Sequence, residues 1–508
     1  MSVQGDTDHG ASAKSPSLTY DVLIVGAGLS GVDAACRLQT ECPGKTFRIL
    51  EARSAIGGTW DLFRYPGVRS DSDMSTLGFP FRPWTEEESI AGGDKIARYI
   101  RETAQIYGVD RQILFGHQVL RAAWSSQDAR WTLETTTGGR AVSFSGKMLY
   151  MCCGYYRYDQ GYSPDFPGLE RFKGQVVHPQ FWPESLDYAG KRIVVIGSGA
   201  TAVTLVPTLA LTAGHVTMLQ RSPSYVLSRP SRDRLAKSLR RWAPPALAEA
   251  LIRWKNILIG LHAYRFARKR PEKARRFLLN ELSKRLSAEI DIPKHFTPSY
   301  DPWDQRICLA PDADLLVALN EKRARIVTDH IETFTETGIG LRSGETLEAD
   351  IIVTATGLIL QVLGGVELTV DDAPVTLTGR LVYKGMMADG VPNLAFSFGY
   401  TNASWTLKCD LTARYICRLL KYMDRHGHDI CAPRQRDPTL GEQPMIALNS
   451  GYVRRGEQAM PRQGSSGPWR LHQNYLLDLA AIRHAKLNDG IMEFRSKITP
   501  VNQGGYGF

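Results

Sequence analysis

The same glycine-rich turn occurs twice in this chain, each time between a short apolar strand pattern and a helical one, and no other feature narrows the fold so far. The first copy runs from Tyr20 to Val25, through Gly26-Ala27-Gly28-Leu29-Ser30-Gly31, into an apolar helical repeat at Val32, Ala35 and Leu38. The second runs from Lys191-Arg192-Ile193-Val194-Val195-Ile196, through Gly197-Ser198-Gly199-Ala200-Thr201-Ala202, into an alanine-rich stretch. In such a unit the first glycine permits a tight turn and the second lets backbone approach a pyrophosphate. The third small residue, Gly31 or Ala202, lets the helix pack closely on the strand. The helix N-terminus then faces negative charge.

At 508 residues the chain exceeds one ordinary core, so each turn is expected to nucleate its own domain. Met148 to Gly154 reads as a buried strand, and the Tyr-, Pro- and Gly-rich loop that follows to Pro167 as a crossing between domains. Ala349 to Gly357, with Ile351-Ile352-Val353 before Thr354-Ala355-Thr356-Gly357, reads as the return. The expected division is a flexible tail at 1–18, a first domain at 19–157, a second at 158–357 and a return to the first at 358–508. The expected fold class is α/β, with two Rossmann-like dinucleotide-binding domains and a helical insert around 232–290 in the second. In that insert Leu247, Leu251, Trp254, Leu258 and Leu261 recur at helical spacing, a stripe expected to face the core.

The strand after each turn ends differently. Phe47 to Leu50 leads to Glu51, ~20 residues past the last glycine, where an acid can hold ribose hydroxyls. His215 to Leu219 leads instead to Gln220-Arg221-Ser222. An acid there would repel a 2′-phosphate, whereas an arginine forms charge-assisted hydrogen bonds to it, so NADPH is expected over NADH at the second site.

Beyond the first turn come Gly57-Gly58-Thr59-Trp60 and Arg64-Tyr65-Pro66-Gly67-Val68-Arg69-Ser70-Asp71. This run resembles the FAD-binding stretch of Baeyer-Villiger and flavin-containing monooxygenases. The resemblance implies FAD in the first site, with Gly58, Thr59, Trp60 and Asp71 against it. Phe172, Gly174, His178, Trp182 and Pro183 follow the Baeyer-Villiger linker pattern FxGxxxHxxxWP, and the Trp-Pro ending separates it from simple flavin-containing monooxygenases. Pro179 stands where that pattern usually has Thr. The resemblance gives His178 a conformational role in the linker. It also makes Arg306, in the loop His295 to Arg306, the active-site cation, and Asp71 the acid that pairs with it. Pro392 to Phe396, Gly399 to Lys408 and Gly464 to Tyr475 resemble the ethionamide-activating branch of the same family.

What the resemblance implies is a monooxygenase: NADPH reduces FAD, the reduced flavin traps dioxygen as a peroxide, and one oxygen atom enters beside a ketone carbonyl to give an ester or lactone. The neighbouring alternative is oxygenation of sulfur or nitrogen in thioethers, thioamides or amines. A disulfide reductase is disfavoured, because no cysteine pair of the expected spacing follows the first turn. The eight cysteines include no CxxC, so neither a zinc site nor a disulfide framework is expected. A binding protein with vestigial dinucleotide sites is the alternative from another class.

Net charge is +10, yet Arg229 to Arg285 alone holds 17 basic and 4 acidic residues. No base-reading module accompanies this block, so nucleic acid is not an expected partner. Its cations beside an apolar stripe leave room for weak peripheral contact with an anionic membrane. No signal-peptide pattern opens the chain, and no apolar run reaches the ~18 residues of a membrane span. A cytoplasmic protein is expected.

Overall fold

The computed structural model describes residues 18–497. Of the expected tail at 1–18, all but Leu18 lies outside the described residues. Strand β1 (Leu18–Val25) enters the turn, helix α1 (Leu29–Glu41) leaves it, and β2 (Phe47–Glu51) pairs parallel to β1. Strand Arg140–Met151 flanks β1 on its other side, so Ile24 lies between Ile49 and Tyr150. Val22, Leu23 and Ile24 are wholly buried, as a parallel strand covered on both faces requires. The nine-stranded sheet is completed from the far end of the chain: Leu394–Phe396 pairs with Arg140–Met151, and Glu367–Val370 with Gln118–Ser125. The long helix Trp405–His426 packs on α1.

The second sheet has five parallel strands. Strand β3 (Arg192–Ile196) lies at its centre, with helix α2 (Ala200–Leu209) after the turn and β4 (His215–Gln220) beside it. Ala324–Thr328 closes one edge. Ile351–Thr354, from the expected return crossing, and Gln175–Val177 complete the other, while the outward crossing's own strand, Tyr156–Gly161, pairs with Leu358–Leu360 instead.

The insert is helical: Arg234–Trp242, Pro245–Lys269 and Pro271–Ser283. Its apolar stripe faces the other way from the expectation. Leu247, Leu251, Trp254 and Leu258 are 40–51% exposed, and only Leu261 is buried. The inward face is made instead by Ala248, Ile252, Ile257 and Leu261. The helix is apolar almost all round, so periodicity does not choose which side meets the protein; Arg253 does. Its guanidinium donates to the carbonyls of Ser75 and Gly78, anchoring that face against the first sheet's layer. Ile257 and Leu261 pack there on Tyr400 and Leu407.

Candidate active site

Gly26 has φ 105°, and a Cβ there would lie 2.7 Å from the carbonyl oxygen of Cys152; Gly197 has φ 144°, and its Cβ would lie 2.5 Å from that of Ala355. Both turns are therefore tightened against the strand that precedes a crossing. Only glycine meets both the backbone angle and the space. The two turns differ in what faces them. Glu51 is buried at the end of β2, where its carboxylate accepts from the backbone N–H of Ala27 at 2.7 Å and of Arg53 at 2.9 Å. Burial raises its pKa, and those two donors pull it back. Gln220 is spent on structure, donating to the carbonyl of His295 and the hydroxyl of Thr328. Arg221 and Ser222, one and two residues on, are exposed.

A cavity of ≈ 250 Å³ opens over the first turn, lined by Gly28, Gly58, Thr59, Trp60, Asp71 and Arg306 among others. Residues expected at FAD thus meet both members of the expected catalytic pair. Gly28 and Gly58 present bare backbone to the cavity, as close approach to a pyrophosphate needs, and they lie so near each other that a Cβ at Gly58 would fall 3.0 Å from the Gly28 Cα. Arg306 and Asp71 make no ion pair within 4 Å, so they share a wall and a field but not a contact. Burial works against the charge of Arg306. Asp71, with the phenols of Tyr452 and Tyr155, more than offsets that, and the guanidinium pKa is raised. A guanidinium cation thus lines a space that can hold a reactant.

His178 lies on the linker between Gln175–Val177 and the one-turn helix Pro179–Phe181. Its Nδ1 accepts from the Gln180 N–H at 3.2 Å, capping that turn, and its ring lies on Gly161, where a Cβ would fall 2.1 Å from the ring. Burial lowers its pKa, against the pull of backbone hydrogen bonds with Gly357 and Tyr162. Pro179 is buried at the first position of that turn, where proline's fixed φ suits the geometry. Phe172 and Trp182 are buried in the cores on opposite sides of the second sheet. Gly174 packs against Phe172 and the Asp350 carbonyl, and Pro183 turns the chain toward β3.

The aromatic wall was not read from the sequence. Tyr155, Tyr156, Tyr158, Tyr400 and Trp405 all line the cavity. Tyr155 stacks on Trp405 at 5.2 Å, Trp405 Nε1 donates to Ser30 Oγ, and the Tyr156 and Thr59 hydroxyls bond at 2.8 Å. The density of tyrosine after Gly154 was the available signal. Arg69, also in the wall, pairs with Asp314 at 2.5 Å and so ties the first layer to the second.

Two parallel-stranded units of the Rossmann type, each with a glycine turn, one followed by a buried acid and one by an exposed arginine, with an aromatic-walled cavity over the first, define the class of fold. The flavin-binding monooxygenase-like family model matches residues 19–239. The FAD-containing monooxygenase EthA of Mycobacterium tuberculosis is 52% identical over 482 residues, covering 95% of this chain and 99% of its own. EthA of Mycolicibacterium smegmatis is 52% identical over 476 residues, covering 94% and 97%. Among solved structures, oxidized steroid monooxygenase bound to NADP matches with a TM-score of 0.73 at 23% identity, covering 94% of this chain and all of that one. The chain belongs to the FAD-containing, flavin-binding monooxygenases and is an oxidoreductase.

Proposed function

We propose that this enzyme uses NADPH and FAD to insert one oxygen atom of O2 beside a ketone carbonyl, giving an ester or lactone. The observation that carries this reading is the charged Arg306 in one cavity with Asp71 and the first glycine turn. In this reading the layer of the first sheet (19–157 and 358–508) holds FAD through Gly26, Gly28, Gly31, Glu51, Gly58, Thr59 and Trp60. The second (158–357) holds NADPH through Gly197, Gly199, Ala200, Thr201, Ala202, Arg221 and Ser222. The NADP bound to the structurally similar steroid monooxygenase supports the second assignment. The reduced flavin, when bound, supplies the activation of dioxygen.

The chain's own residues do the rest. Arg306 stabilises negative charge that gathers on oxygen during addition to the carbonyl. Asp71 balances the charge of that arginine from across the cavity, and the stacked Tyr155 and Trp405 keep water from the reacting space. His178 sets the linker so that the second site meets the first. Resemblance to the ethionamide-activating branch supports a second reading, oxygenation at sulfur or nitrogen, at the same cavity.

Product analysis over linear, cyclic and aryl ketones and thioethers, with NADPH oxidation followed in parallel, separates the two readings. Arg306→Ala is expected to keep FAD and NADPH oxidation, to lose ester formation by ~100-fold to 1000-fold, and to release hydrogen peroxide. Normal ester yield from that variant returns Arg306 to an ordinary turn residue.

Among the described residues no helix is long and apolar enough to cross a membrane. The exposed row Leu247, Leu251, Trp254 and Leu258, with Arg241, Arg265, Lys269 and Lys273 exposed in the same insert, supports peripheral contact with anionic lipid. Sedimentation of the full chain with anionic vesicles tests this: binding at low salt that high salt reverses is expected, and no binding at low salt removes the idea.

A further inference from the structure

The second coenzyme site has a neighbour from the other layer. After the return crossing the chain forms a short helix, Gly451–Gly456, which packs on strand Leu358–Leu360. At its start the Asn449 N–H donates to the Asp304 carbonyl at 2.7 Å, in the loop that carries Arg306. At its end the Arg455 guanidinium carbon lies 3.3 Å above the centre of the Tyr162 ring. Tyr162 belongs to the outward crossing and is bound to the return crossing: its N–H donates to the Gly357 carbonyl, and the Thr356 hydroxyl donates to its own carbonyl. A Cβ on Gly357 would lie 3.6 Å from an Arg455 nitrogen, so the guanidinium lies over the point where the chain leaves the second sheet.

No carboxylate pairs with this arginine among the described residues, although acids are near in sequence. Glu457, two residues on, pairs with Arg462. The charge that does act on Arg455 is of its own sign. Its pKa is lowered, chiefly by burial and further by the charge of Arg221, with the Tyr162 phenol acting the other way. Thr354, Ile196 and Leu219 lie in one row across the second sheet, so Gly357, which Arg455 covers, and Arg221 leave the same end of that sheet on the two strands flanking β3, and neither arginine has an ion-pair partner among the described residues. Cations held this way are poised to share a multiply charged anion, because two guanidiniums that repel one another are relieved by a phosphate between them.

We propose that Arg455 is a second reader of the NADPH 2′-phosphate, acting with Arg221 from the opposite layer. This rests on the reading that NADPH occupies the second site. It makes coenzyme preference a property of both layers: NADPH would tie helix Gly451–Gly456 to the second sheet, and NADH would not. The Asn449–Asp304 bond joins the start of the same helix to the loop of Arg306, so the helix so fixed also borders the loop that carries the active-site cation.

The test is equilibrium binding to the full-length, FAD-loaded protein, read by titration calorimetry with NADP+, NAD+ and 2′,5′-ADP. Arg455→Gln is expected to raise the Kd of NADP+ and of 2′,5′-ADP at least tenfold and to leave NAD+ within twofold, with Arg455→Lys recovering part of the loss. FAD content and melting temperature are measured alongside, and an unchanged pair shows that the variant folds. Equal losses for NADP+ and NAD+ would assign Arg455 to propping Tyr162 and overturn the proposal, as would no loss at all. Wild-type protein that binds NAD+ as tightly as NADP+ would sink the NADPH reading itself. Wild-type preference for NADP+ that survives in Arg455→Gln sinks only the role of Arg455.

Discussion

The two glycine turns share a backbone and differ in almost everything that touches it. At the first, β2 ends in a buried acid already engaged by backbone N–H groups of the turn and of its own strand end. At the second, β4 ends in a glutamine held by His295 and Thr328, and its arginine is left outside. The helices differ too. Counted from Gly28 and Gly199, α1 buries Asp33 at the position where α2 buries Thr204. In the proposed reading, the common turn fixes where a pyrophosphate sits and the end of the next strand chooses the dinucleotide.

The largest effect should come from the closest approach. A Cβ at Gly31 would lie 1.8 Å from the Gly26 carbonyl oxygen, while a Cβ at Gly199 meets nothing within 4 Å. Gly31→Ala should therefore cost more than the ~1–3 kcal/mol typical of overpacking and yield protein without FAD. Gly199→Ala should leave the melting temperature unchanged and weaken coenzyme binding alone. Absorbance of bound flavin and thermal melts compare them, and a stable, yellow Gly31→Ala protein would contradict the tight-turn account.

At the strand ends, Arg221→Ala should raise the Michaelis constant for NADPH by roughly 10-fold to 100-fold, since a hydrogen bond to a charged group contributes ~1.5–3 kcal/mol. NADH should be almost untouched. Steady-state kinetics with both coenzymes decides it, and equal losses would mean that the two strand ends do not differ in the way described.

A smaller effect should sharpen the contrast between the helices. Asp33 is fully buried and neither carboxyl oxygen has a hydrogen-bond partner. Burial first, then the neighbouring Asp410, raises its pKa well above the usual carboxylate value. An acid raised on folding contributes stability in full below its unfolded pKa of ~3.9 and loses it as pH climbs toward the folded value. Asp33→Asn should therefore flatten the fall in melting temperature between mildly acidic and alkaline pH, by a few degrees at the alkaline end. Parallel pH curves for the two proteins would show that Asp33 is not the neutral acid described.

Much of this was legible in one dimension because it is local. The short continuous apolar run before each turn and the 3.6-residue period after it mark the strand and helix, and Glu51 and Arg221 follow at the distance one helix and one strand impose. The linker residues were legible by family pattern, and the structure adds reasons: His178 caps a turn and lies on Gly161, while Pro179 opens that turn. The insert helix was misread in orientation. Its apolar residues run almost all round, so the pattern marks a helix but does not select a face, and the anchoring bonds of Arg253 to Ser75 and Gly78 are not a periodic signal.

The sequence by itself determined that there are two strand–turn–helix units, that an acid follows one and an arginine the other, and the family to which they belong. Only the tertiary structure decided that Asp71 and Arg306 share a cavity without touching and that tyrosines from one crossing make its wall. It alone also put Arg455, from the last part of the chain, over the end of the second sheet where β4 runs into Arg221. The reason is range. Turn chemistry and periodicity act over a few residues, whereas a shared cavity depends on how two sheets, closed by strands from opposite ends of the chain, stand against each other.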